Sequence, residues 1–454
     1  MANDTIVAIA TGSGGAIGII RLSGENAINA VNAVFKPVGK KEFSQIESRM
    51  LVYGTLYDRN GKMLDSCMAV HFDGDKTYTG EPMAELQLHG SPAVLSEALS
   101  TLFNQGVRQA KAGEFTKRAF LNGKMNLMQA EAVADLIASH SLESAHNAVG
   151  QVSGKVANRM NELRQKLIQI SSHFLAVVDY PDEDIDEFLN EQMIQTLSES
   201  EKQLGELYLS YERGRILREG LPCAIVGKPN VGKSTLLNAL VGFERAIVTD
   251  IEGTTRDTIE EVIRIDSLML RLQDTAGIRQ SDDIVEQIGV ERAKKALNEA
   301  ELVLAVVDGS KPLTDEDYNA LEQAKKAPRA ILVVNKSDQG KFEQNITESF
   351  ENIVSISAKL GEGMKQLRDA ILSVTGMNNV VFDGGIITNA RQADALKRAE
   401  IACKQASDSA KLGMTPDAIL QDVEDAINAL GELTGQSVRD DIIQDIFSRF
   451  CVGK

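Results

Sequence analysis

GKPNVGKS, residues 227–234, satisfies the spacing G-x-x-x-x-G-K-[ST], and its flanks decide what it means. An apolar strand over 223–226 runs into it and a helix over 233–240 leaves it, which is the context such a loop needs. Glycines let the backbone close around phosphates, and the loop N–H groups and the helix N-terminus face the anion. Lys233 neutralises charge and Ser234 offers a hydroxyl to magnesium. Working outward, short apolar runs over 259–265, 269–273, 302–307 and 330–334 alternate with helix patterns. That alternation predicts a doubly wound, mostly parallel sheet.

Further signals follow in the order a GTPase needs. GTTRD carries Thr254 and Thr255, and DTAG at 274–277 begins with Asp274 at a strand end, where a carboxylate holds the magnesium water shell. NKSD at 335–338 follows the run 331–334, and SAK at 357–359 follows 353–356. Asp338 would accept two hydrogen bonds from guanine that adenine cannot donate. Each piece alone is an ordinary turn after a strand; all in order predict GTP.

The rest of the chain is organised around this domain. Its 454 residues suggest roughly three domains at about 150 residues each. Residues 1–122 mix β-rich runs (5–10, 17–22, 68–72) with glycine turns and a helix over 93–104, an α+β pattern. Residues 123–218 and 378–454 are helical, and 219–377 form the nucleotide domain, so that domain is expected to be inserted into a helical one. The glycines Gly12, Gly14, Gly15 and Gly18 lead into a strand and not a helix, which marks a tight turn and not a dinucleotide fingerprint.

Composition narrows the class. With 43% hydrophobic and 25% charged residues and no apolar run near the roughly 18 that cross a bilayer, a soluble protein without a membrane is expected. The start lacks a basic segment ahead of its apolar run, which points to the cytoplasm. The four cysteines and five histidines are scattered, giving neither a disulfide framework nor a zinc site. A net charge of -17 disfavours unaided, non-specific nucleic-acid binding. PDEDIDE at 181–187 reads as a solvated turn or as a docking surface for something basic.

GKPNVGKSTLLNAL, TDIEGTTRDTIEE, DTAGIR, VEQIGVERA and the terminal CVGK together resemble the MnmE (TrmE) family of bacterial tRNA-modifying GTPases, within the TrmE-Era-EngA-YihA-Septin-like superfamily. The resemblance spans essentially the whole chain; Val452 stands where the family often carries isoleucine. It implies a multidomain α+β and α/β fold: an N-terminal tetrahydrofolate-binding and dimerisation domain, a helical domain, and an inserted Ras-like GTPase domain. The GTP set it implies is Asn230, Val231, Gly232, Lys233, Ser234, Thr235, Thr249, Asp250, Ile251, Glu252, Gly253, Thr254, Thr255, Asp274, Thr275, Ala276, Gly277, Asn335, Lys336, Asp338, Ser357, Ala358 and Lys359. Magnesium falls to Ser234 and Thr255. Potassium falls to Asn230, Thr249, Ile251 and Thr254, and would stand where other GTPases use an arginine finger.

Ras-like enzymes orient water with a glutamine after the DTAG-type glycine, but Ile278 stands there and cannot. The resemblance gives that work to Glu286; read alone, Glu286 is a carboxylate at a helix start. Arg256 and Arg279 lie close enough in sequence to support the site. Arg21, Glu85 and Lys124, with Lys454, match the family's contacts to 5-formyl-tetrahydrofolate or a related one-carbon folate. Arg and Lys suit the glutamate tail, and a carboxylate suits the pterin donors. Cys451, expected on a mobile tail, is a candidate nucleophile toward an electrophilic uracil carbon, or else a small buried hydrophobe.

The implied partners are tRNA, the flavoprotein MnmG (GidA) in a heterotetramer-type complex, and a second copy, bound through the N-terminal domain and transiently through the GTPase domains. The implied activity is GTP hydrolysis coupled to addition of a carboxymethylaminomethyl or aminomethyl group at C5 of the wobble uridine. A ribosome-assembly or regulatory GTPase switch is the alternative from another class. The CVGK tail and the N-terminal domain separate the two.

Overall fold

The computed structural model describes residues 4–12, 14–179, 191–243, 261–272, 296–340, 350–378, 380–448 and 450–453. The chain divides into two compact units, Met1–Ile137 with Gln151–Ser200 and Arg398–Lys454, and Ala138–Gly150 with Glu201–Lys397. PDEDIDE lies outside the described residues.

The second unit holds the parallel sheet. Its six strands run in the order β13-β12-β11-β8-β10-β9: β8 (Leu221–Val226), β9 (Glu261–Ile265), β10 (Leu268–Leu272), β11 (Leu302–Asp308), β12 (Arg329–Asn335) and β13 (Ile353–Ser355). All pairings are parallel except the β9–β10 hairpin. Every residue of β11 is buried, because helices cover both faces. Leu302, Leu304 and Val306 pack into one core with Leu236 and Leu367, and Val303, Ala305 and Val307 pack into another with Leu321 and Ala324. β8 lies between β11 and β10, to which the chain travels in opposite directions along the sheet. Its C-terminal end is therefore the switch point where such sheets bind ligands.

The first unit is built on a seven-stranded sheet ordered β3-β4-β5-β6-β2-β1-β7, antiparallel except for β1 beside β7. The strands are β1 (Ile6–Ile9), β2 (Ile17–Ser23), β3 (Phe35–Pro37), β4 (Val52–Tyr57), β5 (Met63–Phe72), β6 (Met83–His89) and β7 (Arg108–Gln109). Alternation divides the two faces. Ile20, Leu22, Ala84, Leu86 and Leu88 bury against α1 (Ala27–Val34) and α2 (Pro92–Phe103), while Arg21 and Glu85 take the other face. Gly14, with φ of 85°, sits in a turn ahead of β2, as the glycine run predicts.

The helices follow local signals. α3 (Glu114–Leu121) closes the N-terminal segment, and α4 (Leu127–Ile137), α5 (Leu142–Val152), α6 (Lys155–Asp179) and α7 (Glu191–Glu219) fill the first helical stretch. α8 (Lys233–Phe243), α9 (Asp315–Ala324) and α10 (Met364–Val374) flank the parallel sheet, and α11 (Ala390–Lys411), α12 (Pro416–Thr434) and α13 (Asp440–Ser448) follow. α12 starts with Pro416 at its first turn and stops at Gly435, whose φ of 88° suits a left-handed cap. It packs along α6. The Phe447 and Phe450 rings lie 5.4 Å apart, tilted at 39°, and join Leu127, Ala130 and Ile443 in a small core.

That small core brings the end of the chain to the first sheet, and here the structure departs from the sequence reading. Residues 451–453 are docked: Gly113 N–H donates to the Cys451 carbonyl at 3.2 Å, and Val452 bridges Ala112 in antiparallel fashion. Gly453 lies against Ile9 and Ala10. A free peptide of this length has too few apolar groups to hold a place, but Phe447 and Phe450 anchor the residues just before it.

No described helix is long and apolar enough to cross a membrane.

Candidate functional site

The phosphate loop leaves β8 at the switch point and opens α8. Gly227 has φ of 150° and Gly232 of 99°, and a Cβ on either would collide, with the Val306 carbonyl and the Asn335 amide respectively. Asn230 takes a left-handed φ of 64° without being glycine. Such a conformation persists only where its surroundings enforce it. Lys336 Nζ does so from outside, donating to the Asn230 carbonyl at 2.9 Å.

Two lysines and one asparagine organise the loop. Lys233 Nζ donates to the carbonyls of Gly227 (2.7 Å) and Lys228 (3.0 Å), so the ammonium sits within the loop's curve. Burial holds its pKa below the ordinary lysine value. Asn335, 3% exposed, donates through Nδ2 to the Val231 carbonyl at 2.9 Å and accepts the Ala358 N–H at 3.0 Å. One buried amide thus joins the phosphate loop, the NKSD turn and the SAK turn. Ser234 and Thr235 are exposed on the first turn of α8.

The NKSD and SAK turns lie beside it. Asp338 is exposed, and its hydrogen bond with the Ser357 side chain keeps its carboxyl below the usual carboxylate range. Ser357 is fully buried and its hydroxyl accepts the Leu360 N–H at 3.3 Å. Lys336 bridges Asp308 (2.7 Å) and the Asn230 carbonyl. For Asp308, burial raises the carboxyl, but the bonds from Lys336 and Ser310 outweigh it and hold it ionised.

Sequence reading passed over two members of this frame. Asp308 ends β11, and Asp317, in the first turn of α9, pairs with Lys228 at 2.5 Å. Asp317 is signalled only by T-D-E-D at 314–317, a helix-start pattern, and Asp308 only by its place at the end of an apolar run. Thr249, Asp250, Ile251, Glu252, Gly253, Thr254, Thr255, Arg256, Asp274, Thr275, Ala276, Gly277, Ile278, Arg279, Glu286 and Lys454 lie outside the described residues.

A second site occupies the first unit. Arg21 and Glu85 are register partners on β2 and β6, and Arg21 Nε donates to Glu85 Oε1 at 2.7 Å. Both line a cavity of about 460 Å³ whose apolar wall includes Phe72, Met83, Val133 and Leu136. Lys124 does not line it; it stands beside Gly80 and faces Asp75 at 3.8 Å. Arg49, absent from the sequence reading, does line it. Its φ is 70°, its N–H donates to the His71 carbonyl at 2.8 Å, and its guanidinium lies 5.9 Å over the Phe72 ring. A left-handed arginine leaves no mark in the sequence.

Cys451 is exposed, whereas Cys67, Cys223 and Cys403 are buried. Burial, helped by Asp65, pushes the Cys67 thiol up to about 12, and burial alone does the same to Cys223. Thiolate chemistry at neutral pH is closed to those two. Gly453 packs on Ala10, which lines the cavity.

A glycine-bound phosphate loop at a sheet switch point, joined through one buried asparagine to an NKSD turn, defines a P-loop GTPase. Comparison with known proteins carries this further. A family model described as the MnmE helical domain matches residues 127–451, and one described as the GTP-binding protein TrmE N-terminus matches 5–124. The tRNA modification GTPase MnmE of Clostridioides difficile strain 630 is 40% identical over 458 residues, covering 100% of this chain and 99% of that one. Its namesake in Aquifex aeolicus is 42% identical over 455 residues, covering 99% and 100%. That of Streptococcus sanguinis is 42% identical over 457 residues, covering 99% of each. The chain belongs to the MnmE (TrmE) family of tRNA modification GTPases.

Proposed function

We propose that this GTPase, acting with the flavoprotein MnmG, couples GTP hydrolysis to addition of a carboxymethylaminomethyl or aminomethyl group at C5 of the wobble uridine of certain tRNAs. The observation that carries the reading is the exposed Cys451 on a segment tied to Ala112, two residues before Gly453, which lies against Ala10 of the Arg21–Glu85 cavity lining. Family membership along the full chain favours modification over ribosome assembly, because the relatives carry the modification name throughout their length.

Within the nucleotide site, Lys233 and the loop N–H groups bind the β and γ phosphates, and Asp338 selects guanine. Ser234, exposed at the start of α8, fits a magnesium ligand, with Thr255 as its partner; the ion compensates phosphate charge. Asn230 fits potassium in that its conformation is enforced while it stands exposed, with Thr249, Ile251 and Thr254 completing the set. The cation supplies the positive charge that an arginine finger gives elsewhere. Glu286 orients the attacking water.

In the other unit, the cavity suits a one-carbon folate, with Glu85 for the pterin donors and Arg21 holding Glu85 in place. Lys454 reaches the ligand's anionic end, and Lys124, outside the cavity lining, does so only by leaving Asp75. Cys451 adds to uracil or carries the one-carbon unit. A second copy binds through the N-terminal domain, and the GTPase domains pair transiently during turnover. The cytoplasm is the compartment this chemistry requires.

Replacing Cys451 with serine should abolish modification while leaving GTP turnover intact; unaffected modification overturns the thiol's role. Exchanging potassium for sodium should sharply slow hydrolysis, and equal rates remove the ion. Glu286→Ala should keep nucleotide affinity and lose turnover.

A further inference from the structure

Lys228 occupies the second position of the phosphate loop, where the motif accepts any residue. Its ammonium is nonetheless held at 2.5 Å by Asp317 and lies 3.3 Å from the Thr314 hydroxyl. Its backbone carbonyl meanwhile accepts Lys233 Nζ. The lysine that faces phosphate and the carboxylate of α9 are thus two links apart.

Asp317 already has a local task. It closes the capping box of α9, accepting the Thr314 N–H at 2.9 Å and the Thr314 hydroxyl at 2.8 Å on the same Oδ2 that receives Lys228. A cap needs only a neutral acceptor, such as the amide oxygen of glutamine. Here the carboxylate is 1% exposed and its Oδ1 is buried with no hydrogen-bond partner among the described residues. Leaving a buried charge half satisfied costs stability, and capping alone does not require it. The charge answers Lys228. Burial by itself would raise the carboxyl, yet the bonds from Lys228 and Thr314 hold it below the ordinary range.

Nine residues earlier in the same connection, Asp308 holds Lys336, which fixes the Asn230 carbonyl. The span from 308 to 317 therefore grips the phosphate loop at two points, Lys228 and Asn230. We propose that Asp317 is a positioning residue for nucleotide binding: through Lys228 it fixes the first turn of the phosphate loop, and the β11–α9 connection acts as the loop's external brace. Neither side chain touches nucleotide. The inference rests on the GTPase class alone and is independent of the tRNA reading.

The test uses the full-length protein and a fluorescent GDP analogue, alongside steady-state GTP turnover. Asp317→Asn keeps the cap acceptor and removes the charge; Lys228→Gln removes its partner. Each should weaken GDP binding and raise KM by about tenfold, with kcat changed less than about threefold. The double variant should be no worse than either single, because both break one link. Lys228→Arg should restore near-normal affinity. If Asp317→Asn lowers the melting temperature but binds GDP normally, or if the two losses multiply, the brace is overturned. Should Asp317→Asn fail to fold, Lys228→Gln leaves the cap intact and decides alone: normal GDP affinity there also overturns the proposal.

Discussion

The two sheets place their candidate sites in opposite ways. In the parallel sheet both faces are sealed by helices, so the site lies beyond the strand ends and is made largely of backbone: loop N–H groups, carbonyls, and glycines that leave room. In the antiparallel sheet one face is sealed by α1 and α2, and the other carries Arg21 and Glu85 as side chains across a register. A site built from backbone requires fixed residue types at fixed spacing. A site built on a sheet face requires only that two distant strands bring the right groups opposite each other.

If that contrast holds, damage to one site should leave the other working. The largest effect is expected for Asn335→Ala, which leaves the Val231 carbonyl and the Ala358 N–H without their partner. Two such losses are worth about 2 kcal/mol or more, at least about thirtyfold in GTP affinity. Calorimetric titration with GDP and with 5-formyl-tetrahydrofolate checks this: folate affinity should not change, and a parallel loss of both would break the contrast.

Glu85→Gln should do the converse, weakening folate by about tenfold, the worth of one charge-assisted hydrogen bond, without altering GTP turnover. Next in size is Gly113→Ala. Gly113 has φ of 63°, and a Cβ there would press on Phe447 and Phe450. A left-handed alanine costs about 1–2 kcal/mol, enough to loosen the tail. Cys451 should then react faster with a thiol reagent, with modification reduced and GTP hydrolysis retained. An unchanged labelling rate would show that the tail is held by something other than this contact.

The smallest effect is that of pH near neutrality. Asp4 in the first unit and Asp308 and Asp317 in the second all have carboxyls below their ordinary 3.8, because cationic partners outweigh the burial that would raise them. Groups lowered in this way contribute stability that is fully present above 3.8 and is lost as pH falls through the folded value. Urea melts of both units should therefore coincide at pH 7 and pH 5 and weaken only in stronger acid. A loss between pH 7 and 5 would point to histidine instead.

How much could be read beforehand follows the same division. The phosphate loop and the NKSD and SAK turns were legible because their chemistry is written in consecutive residues. The strands β8, β10, β11 and β12 were found to within about two residues, since a doubly covered sheet gives unbroken apolar runs. Asp308 and Asp317 were not, because their partners Lys336 and Lys228 lie 28 and 89 residues away. Arg21 and Glu85 were reached by resemblance only; 64 residues separate them, and nothing local announces the pairing. The docked tail was missed for a similar reason: what holds it is Gly113 and an aromatic pair, not the terminal residues themselves.

Asn335 has one consequence beyond its contacts. A single buried amide touches the carbonyl of Val231 on the phosphate side and the N–H of Ala358 on the base side. The phosphate loop and the SAK turn therefore share one fixed point, and neither can shift from the other without breaking a bond that Asn335 makes.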